Sequence, residues 1–92
     1  MNISQIDQLY DWSQQPNLSP GFWRSVDSIS PQQIIGLADL LLSTRLLVGS
    51  EYVQLVGIIG QYRSVGTWTD RQRRSAVMFI LAYWRDIDWR LQ

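Results

Sequence analysis

The 92-residue chain has room for one domain, residues 1–92, and its five Trp, four Tyr and two Phe exclude a disordered, solvated polymer. It contains neither Cys nor His, which excludes a disulfide framework and removes the commonest general base and metal ligand. Formal net charge is zero, which weighs against tight nonspecific binding to a phosphate backbone.

Helix signals recur along the chain, and alternating strand patterns are scarce. Ile3, Ile6, Leu9 and Tyr10 fall at helical spacing and predict a first helix over about residues 3–14. Gln15-Pro16-Asn17 interrupts it. Ser19-Pro20 reads as a cap followed by proline at the first helical position, opening a short helix with Phe22, Trp23 and Val26. Ser30-Pro31-Gln32-Gln33 repeats that signal with a capping box, and the helix it starts should bury Ile34, Leu37, Ala38 and Leu41.

Gly49-Ser50 separates this helix from a fourth, predicted over Glu51 to about Ser64 with Tyr52, Val53, Val56 and Ile59 on its apolar side. Gly57 and Gly60 lie inside it, where each costs about 1 kcal/mol relative to Ala, and a close helix crossing is the expected reason. Gly66 suits a left-handed cap.

Thr69-Asp70-Arg71-Gln72 is a second capping box, and a final helix should run from Asp70 to about Arg90. Val77, Ile80, Leu81, Trp84, Ile87 and Leu91 form one face of it, with Asp70–Arg74 and Asp86–Arg90 as i,i+4 ion pairs. Met78, Phe79, Ala82 and Tyr83 leave almost no polar side, as expected of a helix that is central or covered by a partner. The fold class expected is all-α, a compact bundle of four to five short helices with the C-terminal helix longest and most buried.

No phosphate loop, dinucleotide fingerprint or nucleophile elbow occurs, so no catalytic residue, cofactor, metal or small-molecule substrate is expected. Asp7 and Asp11 share a helix face and read as solvated charge. The longest apolar run, Ala76–Trp84, is nine residues, far short of the roughly 20 that cross a bilayer, so no membrane partner is expected. The polar first sixteen residues predict no secretory leader, and a cytoplasmic location is the default.

Charge is unevenly placed. Residues 1–51 carry Arg24 and Arg45 against Asp7, Asp11, Asp27, Asp39 and Glu51, a net of −3, and residues 52–92 carry the compensating +3. Every cation is Arg. Arg63, Arg71, Arg73 and Arg74 bracket the turn that holds Trp68, an arrangement that can grip phosphates and stack a base or pair with the acidic half of the chain. Along the last helix Arg71, Met78, Arg85 and Trp89 form a stripe of residue types favoured at interface hot spots. Two functions follow. The first is a non-catalytic protein–protein interaction module, an adaptor or a self-associating domain. The second is a nucleic-acid-binding small subunit, or an inhibitor, of a ribonucleoprotein complex such as a CRISPR-related one.

Overall fold

The computed structural model describes the backbone of residues 3–91 and the side chains of residues 6–87. Within those residues the chain forms six helices: α1 (Ile3–Ser13), α2 (Pro20–Asp27), α3 (Pro31–Ser43), α4 (Gly49–Val65), α5 (Asp70–Ala82) and α6 (Trp84–Leu91). Side-chain caps set three of the starts. Ser19 Oγ accepts from the Phe22 N–H and Ser30 Oγ from the Gln33 N–H, each at 3.3 Å. The full reciprocal box forms at Thr69. There the Gln72 N–H donates to Thr69 Oγ1 at 3.1 Å, and the Thr69 N–H donates to Gln72 Oε1 at 2.9 Å. At Ser30 only the hydroxyl half is present.

Helix α4 begins two residues before the expected Glu51, at Gly49 with φ 62°, and Val48 before it makes no side-chain cap. Gly66 ends it as expected, at φ 84°, with its N–H on the Tyr62 carbonyl at 2.7 Å.

The core is wholly apolar among the described side chains. It gathers Ile6 and Leu9 of α1, Phe22 and Val26 of α2, and the predicted Ile34, Leu37, Ala38 and Leu41 of α3. Helix α5 supplies Ala76, Val77, Ile80 and Leu81 and packs against α1, α2, α3 and α4. Between α1 and α2 the approach is tight: a Cβ on Gly21 would lie 3.2 Å from Trp12 Cη2. Glycine there lets Trp12 stand edge-on to Phe22, ring centroids 5.8 Å apart.

Two expectations are corrected. The described residues hold six helices rather than four to five, and the C-terminal helix is neither longest nor most buried. Helix α4 is longest at 17 residues, whereas α6 has eight, as few as α2. The long helix expected over 70–90 is broken at Tyr83, whose φ −111° and ψ 16° leave the helical region. Its carbonyl then accepts from the N–H groups of Asp86 and Ile87, each at 3.1 Å, and starts α6. No Pro or Gly marks the break. Beyond it Trp84 and Ile87 are buried in the same core as Val77 and Ile80. The buried Trp84 indole N–H donates to Asp7 of α1. The expected contributions of Ile3, Leu91 and the Asp86–Arg90 pair lie outside the described side chains.

A third correction concerns α4. It buries Leu55 and Ile59, while Tyr52, Val53 and Val56, expected inside, are exposed. Gly57 and Gly60 are exposed too, and a Cβ at either would meet nothing within 4 Å, so no close crossing occurs there among the described residues. Substituting either glycine by Ala should therefore raise stability by about 0.4–1 kcal/mol, measured by urea denaturation. Leu55→Ala should lower it by about 2–5 kcal/mol. Destabilisation by Gly57→Ala would show that a crossing exists after all.

Candidate functional site

The predicted arginine cluster is dispersed by pairing inside the domain. Arg63 on α4 donates to Asp39 of α3, with the two side chains 57% and 45% exposed, a pair of the kind that adds little stability. Arg73 on α5 reaches the Ile29 carbonyl in the turn between α2 and α3, and its buried Nε has no acceptor among the described residues. Arg74 grips Asp27 of α2 with two bonds, Nε to Oδ1 at 3.0 Å and Nη2 to Oδ2 at 2.7 Å. Its guanidinium also lies 5.1 Å from the Trp23 ring centroid. The i,i+4 pairing expected between Arg74 and Asp70 gives way to this fork. Trp68 is half-buried against Tyr62, centroids 4.5 Å apart. Of the four arginines, Arg71 alone stays exposed with neither an ion pair nor a hydrogen bond among the described residues.

The stripe expected along one long helix is likewise divided. Arg71 and Met78 stay on the outer side of α5, with Ser75 and Ala82 between and beyond them at helical spacing. Arg85 falls after the break at Tyr83 and sits over the Tyr10 ring of α1, 5.6 Å from its centroid. The Trp89 side chain lies outside the described residues.

What the structure adds is a groove and an apolar helix face. Between α4 and α5 lies an open groove of 330 Å³ lined by Glu51, Gln54, Ser75, Met78, Phe79 and Ala82. Met78 and Phe79 are half-buried and supply its apolar surface. At one end Glu51 accepts from the Tyr83 hydroxyl at 3.2 Å. Removal from water raises the Tyr83 pKa first, and the charges of Glu51 and Asp86 raise it further, so the phenol stays a neutral donor.

Away from the groove lining, α4 turns apolar residues to solvent: Val53 is 68% exposed and Val65 69%, with Tyr52 and Val56 also exposed, and Val48 just before the helix is 70% exposed. From Tyr52 to Tyr62 the helix carries no charged residue. Sequence reasoning assigned the surplus apolar surface to the last helix. The signal that locates it was the uncharged stretch of three turns in α4, with glycines where a solvated helix would carry Lys or Glu.

Among the described residues no three His, Cys, Asp or Glu side chains are grouped as metal ligands, and no helix is long and apolar enough to cross a membrane. No protein-family model matches this chain, and no curated protein or solved structure matches it.

Two measurements follow from these contacts. Arg73→Ala strips the Ile29 carbonyl of its donor and should cost about 1–3 kcal/mol in chemical denaturation, whereas Arg71→Ala should stay within about 0.5 kcal/mol of the parent. The fork from Arg74 holds the Asp27 carboxyl below the ordinary value of 3.8, against the opposing effect of burial. As pH falls, the unfolded chain takes up that proton first, so the stability from this pair is present above about pH 4 and is lost as pH drops through the lowered pKa. The stability gap between the parent and Asp27→Asn should accordingly narrow below pH 4. A gap independent of pH would show that the pairing does not persist in solution.

Proposed function

We propose that this chain is a non-catalytic protein-docking module, an adaptor or self-associating domain, whose partner covers the outer face of α4 and the adjoining α4–α5 groove. One observation carries the reading: a 17-residue helix with solvent-facing Val53 and Val56 and no charge between Tyr52 and Tyr62. Large apolar side chains grouped in solvent on one helix mark association sites. The neighbouring residue types agree, since interface cores are poor in charge and rich in aromatic residues, Met and Arg. Met78 and Phe79 line the groove, with Arg71 one turn beyond it on α5, and Tyr52 is exposed on α4. The non-catalytic part of the reading rests on the lack of His and Cys. A cytoplasmic location belongs to the same reading, and the absence of Cys is compatible with a reducing compartment.

Nucleic-acid binding has less support. A phosphate grip needs uncommitted cations, and Arg63, Arg73 and Arg74 are engaged with Asp39, the Ile29 carbonyl and Asp27.

The test is affinity capture from an extract of the source cells, comparing the parent with a Val53→Glu/Val56→Glu variant whose helicity is checked by circular dichroism. Both valines are exposed, so the variant should fold. The expected result is a protein recovered with the parent, resistant to nuclease and lost with the variant. Equal recovery by both proteins, or recovery abolished by nuclease, would overturn the reading.

A further inference from the structure

The groove between α4 and α5 is bipolar. Along α5, Arg71, Ser75, Met78 and Ala82 recur at the spacing of one helix stripe, and the last three line the groove. Arg71 therefore stands one turn beyond Ser75, an exposed cation with no ion pair among the described residues. The opposite end is acidic. Glu51 lines the groove level with Ala82, and its one hydrogen bond comes from a neutral phenol. Asp86, close enough to act on the same phenol, adds a second negative charge there. Between the two ends lie Met78 and Phe79, flanked by the uncharged Gln54 and Ser75. Arg71 and Ala82 are eleven residues apart on one helix, roughly 17 Å at 1.5 Å per residue.

A strip that runs from base through apolar middle to acid is complementary to itself when turned end for end. A two-fold axis near the level of Ser75 and Met78 sets α5 antiparallel to its copy. It brings Glu51 of each chain toward Arg71 of the other, and it seats Met78 and Phe79 of each chain over the other's groove. We propose that the α4–α5 groove is occupied by a second copy of this chain in such an isologous dimer, held by two symmetry-related Glu51–Arg71 contacts around a Met78/Phe79 centre. This rests on reading the α4–α5 side as a protein-docking surface and names the occupant.

Size sets the strength expected. Two adjacent helices about 20 Å long and 8–10 Å apart offer a footprint on the order of 400 Å², against about 800 Å² per partner in a standard interface. The dimer is therefore reversible and depends on concentration.

The experiment is sedimentation equilibrium of the intact chain from about 1 µM to about 1 mM at low and high salt. The weight-average mass should climb from 10.7 kDa toward twice that value, less steeply in high salt. Glu51→Arg and Arg71→Glu, both at exposed positions, should each weaken association by about tenfold or more, because each sets like charges against each other at both ends. An equimolar mixture of these two variants should associate like the parent, because every facing pair is again of opposite sign. A parent that stays at 10.7 kDa throughout overturns the proposal, as does self-association unchanged in the single variants, or a mixture no better than its components. If the parent is monomeric while extract capture still yields another protein lost on Val53→Glu/Val56→Glu, the second copy is excluded and the docking function stands.

Discussion

Four side chains on one helix, Ala76, Val77, Ile80 and Leu81, hold the domain together, because α1, α2, α3 and α4 all lean on the helix that carries them. A chain of this length has a single core and cannot enclose every helix it makes. Once α5 takes the centre, the others must each bury one stripe against it or against its neighbours. Helices α2 and α3 do so with well-segregated faces. Helix α4 is left at the edge with apolar residues on both sides, and it commits Leu55 and Ile59 inward. The exposed valines thus follow from the geometry of the core as well as from composition.

The break at Tyr83 ties the chain's ends to this arrangement. Trp84, fully packed, directs its indole N–H to Asp7 near the other terminus, giving a buried polar hydrogen an acceptor that the apolar core lacks. Tyr83 turns the other way, to Glu51 at the start of α4. Two adjacent aromatic residues therefore clamp α1 and α4 from opposite sides of one turn. Arg73 and Arg74 do the same at the far end of α5, where they hold α2 and the turn that follows it.

Local chemistry was legible in the sequence, and partner choice was not. Ser19, Ser30, Thr69 and Gly66 each act within four residues of themselves, so their caps could be read directly. The stripe Ile34, Leu37, Ala38 and Leu41 was equally clear, because α3 has a polar side to contrast with it. In α4 that contrast is missing, and periodicity had no means of choosing Leu55 over Val53. The break within Ala76–Trp84 lacked any Gly or Pro, so no local signal marked it. The arginines failed as a cluster for a related reason. Their acceptors lie 24, 44 and 47 residues away along the chain, beyond anything spacing can reveal.

Helix α4 also bears on how the domain moves. It is the longest helix, yet it anchors through few buried side chains and carries two glycines that weaken it from within. If such an element opens more readily than the core it rests on, its amides exchange while those of α3 and α5 stay protected. A chain that settled on its outer face would tie this helix down, so part of the contact energy would go into completing the fold. Occupancy of the groove and rigidity of α4 would then be thermodynamically coupled, and protection of the α4 amides would read that coupling out directly.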